Sequence, residues 1–438
     1  MLASTINRPP RALVKIVGTA MAASLLLAAC GGGEGDSGKT EITMWTFLDP
    51  DGSSGRETVL SDLIDSYEDE HPNTTINVEV QQWDTLTSQF LAADASNSAP
   101  DVIWAVVDEF ADVAEQGALA NLNDLSFGDM PDDQLEDLRD IYWDSMTTED
   151  GEINGVVHSR NYLGLMYRKD YFEEADIDPA DIETWDDLIE AAQELTVSDD
   201  NRWGLGQAFS DSFADPQILT AKLLEEQGTL FSDDGEAAWA NDAGVKALEF
   251  QASLIEEHQV TSEDAVRLTS EDLYELFSSG QLAIFNAASA RVPEMQKELG
   301  VENVGFMHYP GDVANEHAPG TLLGWAVGVW EGSDSKEEAA DFVAHLSSPE
   351  ADAAWLTEAQ QPPLYSSTSE ENNDYLNEPE NEFLNVVVEG TEDYGWLPPT
   401  QTPTGGWKSI LNTTVQKVLL DGTSAMDALE SAETDFNS

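Results

Sequence analysis

Residues 40 to 438 read as an α/β body, and three observations predict it. Strand-like and helix-like segments alternate from residue 41 onward, the order that builds a largely parallel sheet covered by helices. Hydrophobic residues make up 41% of the chain and include 12 tryptophans, enough apolar surface for full cores. Behind a short leader, about 400 residues remain, room for two or more domains of ordinary size.

The elements follow in order. Glu41 to Phe47 (EITMWTF) is a first strand. Ser54-Gly55-Arg56-Glu57 has the Ser-x-x-Glu form of a capping box, and Leu60, Leu63, Ile64 and Tyr67 behind it share one helical face. His71-Pro72 ends that helix, because a proline ring disfavours helix at the residue before it. Ile76, Val78 and Val80 alternate as a second strand. A helix over 86–95 then leads to the apolar strand Val102 to Val107. Further on, Gly164 to Tyr167, Leu282 to Phe285 and Leu322 to Val329 read as strands. Thr184 opens a helix with Trp185, Leu188, Ala192 and Leu195 on one face. Lys336 onward is amphipathic, Ser347-Ser348-Pro349-Glu350 starts another helix, and 366–382 is polar, a loop or short helix. No repeat of fixed period is visible.

The first thirty residues read as an export address. Arg8, Arg11 and Lys15 precede the mostly small or apolar run Ala12 to Ala29, and Leu27-Ala28-Ala29-Cys30 closes it. That close resembles a bacterial lipobox, at which Cys30 is acylated and the chain cut before it. Cys30 is the single cysteine, so no intrachain disulfide forms. An uncleaved membrane anchor is the alternative, and either way the body lies outside the membrane. Residues 31–39 (GGGEGDSGK) form a flexible tether.

The chain has 86 acidic and 18 basic residues, a formal net charge of −68. Loss of Arg8, Arg11 and Lys15 with the leader leaves 15 basic residues and a net charge of −71. Nucleic acid is excluded as a partner, since phosphate binding needs Lys/Arg surfaces, and anionic ligands are disfavoured for the same reason. The acids are spread over many helical segments, mostly as a solvated face. Self-repulsion on this scale predicts a salt-adapted or alkaline-habitat protein.

Five motifs in order carry a resemblance to a known family: Ile42 to Trp45; PDVIWAVVDEFADVAEQGALANL (Pro100 to Leu122); GEINGVVHSRNYLGLMYRKDYFEEADID (Gly151 to Asp178) with TWDDL (Thr184 to Leu188); LFSSGQLAIFNAASA (Leu276 to Ala290); and LLGWAVGVWEGSDSKEEAADFVAHL (Leu322 to Leu346). Together they resemble the extracellular solute-binding proteins of family 1, the maltose-binding-protein group. The resemblance implies two hinged α/β lobes of the type II periplasmic-binding-protein kind, with a ligand cleft between them. The lobes would be 40–158 plus 321–365 and 159–320 plus 366–438, with crossings near 158–162, 315–321 and 365–372. It also implies a monomer that captures a neutral mono- or oligosaccharide and delivers it to an ABC-type importer in the membrane.

A neutral sugar asks for aromatic faces and paired hydrogen-bonding groups. The family's contact loops, carried onto this sequence, fall at Trp45, Phe47 and Asp49 after the first strand and at Trp83 and Asp84 after the second. Asp108 and Glu109 follow the third strand, where ligands of open α/β sheets sit, although either equally suits a helix cap. Arg160 and Asn161 lie on the hinge side, Asp211 and Phe213 in the second lobe, and Trp325 and Trp407 at later aromatic positions. An ion pair with the abundant acid is the plain alternative for Arg160, and core packing is the plain alternative for Trp45, Trp325 and Trp407. Trp104, Trp143, Trp185, Trp203, Trp239 and Trp355 are expected to be packing. Many relatives carry Asp-Gly-x-Trp where this chain has Ala287-Ala288-Ser289-Ala290, which leaves Ser289 and Arg291 as the polar groups of that loop.

A secreted carbohydrate-active enzyme is the rival from another class. With 86 acids, no carboxylate pair stands out, and no Gly-x-Ser-x-Gly, His-Glu-x-x-His or P-loop pattern occurs. No cofactor is implied. The six histidines lack metal-ligand spacing, and Asp49-Pro50-Asp51-Gly52-Ser53 lacks the register of a calcium loop and reads as a turn. A polyol, a polyamine or another small solute is the alternative ligand.

Overall fold

The computed structural model describes residues 39–138, 140–148, 150–197, 201–210, 216–232, 235–398 and 406–438. The leader, Cys30 and nearly all of the expected tether lie outside the described residues.

The first three strands, β1 (Thr40–Thr46), β2 (Thr74–Val80) and β3 (Val102–Val106), are parallel, in the order β2-β1-β3. Helices α1 (Gly55–Glu70), α2 (Leu86–Ala95) and α3 (Val107–Glu115) follow them in turn. Residues 55–70 form a helix because Ser54 caps it. The Ser54 Oγ accepts the Glu57 N–H at 3.3 Å, and the Glu57 carboxylate accepts the Ser54 N–H at 2.9 Å. Those bonds also hold the Glu57 carboxyl below its ordinary range. Val59, Leu60, Ile64 and Tyr67 turn inward, and the chain stops at His71.

β4 is the main departure from the sequence reading. It runs over Val156–Arg168, not only 164–167. Its first half pairs antiparallel with β8 (Gly320–Val329). Its second half pairs with β6 (Leu282–Ala288) and β7 (Val304–Met307). The polar run His158-Ser159-Arg160-Asn161 hid the strand, because local hydropathy cannot show that its polar groups find partners on chain far away in sequence. His158 Nε2 donates to the Leu346 carbonyl at 2.7 Å, and Arg160 Nη1 donates to the carbonyls of Pro363 and Leu364 at 3.0 and 3.1 Å.

β5 (Trp203–Gly206) pairs parallel with β6, and β9 (Gly395–Trp396) with β8. One sheet therefore runs β2-β1-β3-β8-β4-β6-β5 through both lobes, parallel at its flanks and antiparallel through β8 and β4, where the largely parallel expectation does not hold. One core packs α1 and the helices Lys336–Leu346 and Pro349–Ala359 on the first-lobe strands. Two more lie in the second lobe, and a fourth runs along the join. The polar stretch after Tyr365 contains the short helices Ser366–Glu371 and Asn373–Leu376.

Candidate functional site

The C-terminal edge of β1, β2 and β3 gathers the first group of side chains. Phe47 leaves the end of β1, and Trp325 on β8 pairs in register with Val106 at the end of β3. Their rings meet at 4.1 Å between centroids, tilted by 38°, and both are half-buried. Trp45 sits opposite Glu79 in the β1–β2 register, and its Nε1 donates to the Glu79 carboxylate at 2.7 Å. Asp49 is exposed. Its carboxylate accepts the Asp51 N–H at 3.0 Å and its carbonyl accepts the Gly52 N–H, closing the expected turn.

That turn delivers α1, whose second residue is Arg56. The guanidinium lies over the Phe47 ring at 5.1 Å, and its Nη2 donates to Ser159 Oγ on β4 at 3.2 Å. Gly55 permits this approach. A Cβ there would stand 2.4 Å from the Glu358 carbonyl oxygen, so any side chain would push α1 off the end of Pro349–Ala359. Gly324 does the same on β8, where a Cβ would meet the Ser159 carbonyl at 2.3 Å. Burial pulls the Arg56 pKa down to about 10.

The second group lies on β4 and the loop after β6. Asn161 Oδ1 accepts from Ser289 Oγ at 2.7 Å and from the Ala290 N–H at 3.0 Å, and Ser289 Oγ accepts the Tyr162 N–H. Arg160 is buried, with Tyr142 stacked against its guanidinium at 4.5 Å. Beneath it, burial drives the His158 pKa down to about 4, so the ring is neutral near pH 7.

Between the groups opens a small pocket, part of it open to solvent. Arg56, Ser159, Arg160, Ser289, Gln361 and Phe383 are among its lining residues, and no described carboxylate is.

The structure thus brings Trp45, Phe47 and Trp325 into one neighbourhood and Arg160, Asn161 and Ser289 into another. Other expected positions stand apart. Trp83 is 49% exposed in the turn after β2, and Asp84 beside it is exposed. Glu109 is half-buried in the first turn of α3, while the Asp108 side chain, with Asp211 and Phe213, lies outside what is described. Arg291 is tied to Glu271 and Glu294 at 2.7 and 2.6 Å and stacks on Tyr274 at 4.2 Å. Trp407 takes the core alternative. It is buried as the first residue of the helix Trp407–Asp421, edge-on to Phe231 and Trp396 in a second-lobe core, because that helix turns its apolar face toward 242–256 and 425–436. Among the described residues, no cluster of His, Cys, Asp or Glu is placed to hold a metal, and no helix is long and apolar enough to cross a membrane.

Sequence reading missed Arg56, Gln361 and Phe383. Arg56 did carry a signal. A cation in the first turn of a helix opposes the helix dipole and asks for another reason to be there. Phe383 carried none, since nothing local brings it back to β4.

Residues 52–353 match the bacterial extracellular solute-binding protein family. The chain is a member of that family. This solute-binding protein is 25% identical over 360 residues to a lactose-binding protein of Rhizobium radiobacter, with 78% of this chain and 77% of the relative covered. It is 23% identical over 372 residues to an arabinooligosaccharide-binding protein of Halalkalibacterium halodurans, covering 78% and 76%. Its fold superposes on an ABC substrate-binding protein, Lmo0181 of Listeria monocytogenes in complex with cycloalternan, with a TM-score of 0.74 and 23% identity over 91% of this chain and 98% of the other. The two-lobed binding-protein fold is therefore that of this chain as well.

Proposed function

We propose that this solute-binding protein captures a neutral mono- or oligosaccharide outside the cell, closes its lobes on it and hands it to an ABC-type importer. The observation that carries this reading is a pocket lined by Arg56, Arg160, Ser159, Ser289 and Gln361, linked through Arg56 to the Phe47–Trp325 pair. Ring faces suit the C–H faces of a pyranose or furanose, and the polar groups suit its hydroxyls. The sugar-binding relatives support the same reading. A diamine would meet two arginines here, which disfavours the polyamine alternative.

Closure rests on the crossing strands β4 and β8. A sugar contacting both lobes stabilises the closed arrangement by its difference in affinity for the two states. Acylated Cys30 would hold a monomer at the outer face of the membrane. The reading is of a binder without turnover.

The test is titration of the protein with lactose, maltotriose and arabinotriose, following tryptophan emission, with the sugars analysed afterwards by chromatography. A saturable emission change with sugars recovered intact is expected. Cleaved sugar would make it an enzyme. No response to any of the three would remove the carbohydrate reading.

A further inference from the structure

Nine described cations (Arg168, Lys169, Arg202, Lys222, Lys246, Arg267, Arg291, Lys336 and Lys417) each stand within 4.0 Å of a carboxylate. In a chain with 86 acids that is the default. Among the described residues, Lys39 and Lys297 also lack such a carboxylate but are exposed, whereas Arg56 lacks one while half-buried. No carboxylate among the described residues lies within 4.0 Å of its guanidinium, and its Nε is buried with no acceptor. Its neighbour Glu57 is turned away into the capping box with Ser54.

A half-buried cation with no carboxylate in contact, only the nearby Glu57 charge, costs stability, and a buried N–H without an acceptor adds to that cost. The helix start adds a third cost, because the dipole there is positive. Packing alone gives no reason to keep an arginine at this place. Its surroundings hold it still instead: the Phe47 ring covers one face, Ser159 takes Nη2, and Gly55 lets the start of α1 pack against Glu358. The side chain then borders the pocket opposite Ser289 and Gln361.

We infer that Arg56 is a ligand-contacting, specificity-determining residue whose planar fork of N–H groups recognises adjacent hydroxyls of the bound sugar. This rests on the carbohydrate reading of the same pocket. A guanidinium offers donors only, in a fixed plane, so it selects oxygens placed side by side and discriminates between sugars that differ in one hydroxyl. The free protein bears the cost of the unmatched donors, and the ligand relieves it.

Three variants test this: Arg56→Gln, Arg56→Lys, and Arg267→Gln as a control that removes the same charge from an exposed ion pair. Affinity for whichever of lactose, maltotriose and arabinotriose binds the wild type is measured by emission titration, and thermal midpoints are taken without sugar. R56Q is expected to weaken binding about tenfold or more while its ligand-free midpoint stays level or rises. R56K, keeping charge without the fork, should lose several-fold, and R267Q should bind as wild type. R56Q binding within about twofold of wild type would overturn the inference. So would a ligand-free midpoint lowered by about 5 °C or more, the mark of a structural tie between α1 and β4. If no sugar binds the wild type, the carbohydrate reading fails, and the inference is still judged by that midpoint.

Discussion

Two aromatic groups sit in the two lobes and differ in what covers them. In the second lobe, Phe231, Trp239, Trp396, Trp407 and Phe436 pack ring against ring, with Trp239 and Trp407 closed off from solvent. In the first lobe, Phe47 and Trp325 touch each other but stay half-buried, with an arginine on one face and a pocket alongside. The second group is held by helix-on-helix packing. The first stands on loop and strand near the end of β3, packed on the first core with its rings still half-exposed. The topology, not the surrounding motif, decides which rings keep an open face.

The sharpest way to break that contrast is to truncate one ring in each group. Trp239→Ala removes a fully buried ring and should cost about 3–5 kcal/mol of unfolding free energy, measured by urea denaturation. Trp325→Ala should cost much less stability, because its face is already partly in water, yet should weaken sugar binding tenfold or more, about 1.4 kcal/mol or above. Were the two variants to lose stability equally with binding intact in W325A, the division of the groups would collapse.

The strands that carry the first group were legible in the sequence, and the packing over the second was not. Trp45, Phe47 and Trp325 could be placed because each stands in or beside a strand whose period is plain, and the capping box at Ser54 marked the start of α1 to the residue. Trp407 could not, because its burial depends on helices 242–256 and 425–436, and a motif position says nothing about what packs over it. β4 was half hidden for the same reason. His158 and Arg160 break the apolar run, and the carbonyls that receive them come from residues 346, 363 and 364. Arg160 is buried on carbonyl oxygens of the chain's later half. Nothing local announces a partner two hundred residues away.

The contrast can be sharpened through the hinge, where each lobe meets a buried histidine. His158 lies between Trp104 and Trp355 with a pKa pulled down to about 4 by burial, and His308 beside Tyr162 is pulled down to about 3 by burial and by His317. Both folded-state values lie below the ordinary 6.5, so the unfolded chain binds more protons as pH falls. Their stabilisation is complete above about pH 6.5 and is lost toward the folded values, for His158 about 3 kcal/mol in all. Protonation of the acidic surface works the other way by relieving self-repulsion, but mainly below about pH 5. Between pH 7 and 5 the thermal midpoint should therefore fall as pH falls. His158→Gln, which keeps a donor for the Leu346 carbonyl, should flatten part of that slope. An unchanged slope would assign acid lability to other groups.

The smallest effect separates the lobes most cleanly, because two helices begin with the same device. Ser54 caps α1 with Glu57, and Thr184 caps the helix Trp185–Leu195 with Asp187, whose carboxylate accepts the Thr184 N–H at 2.8 Å. Ser54→Ala and Thr184→Ala should each cost about 1 kcal/mol, since each leaves helix N–H groups without an acceptor. Only Ser54 sits two residues before Arg56 and fixes the turn that carries it over Phe47. S54A should therefore also weaken sugar binding a few-fold, and T184A should leave it unchanged. If both variants bind as wild type, the placement of Arg56 comes from Phe47 and Ser159 alone, and the cap serves stability. If both weaken binding equally, the loss is one of global stability, and the first lobe holds no special claim on the start of α1.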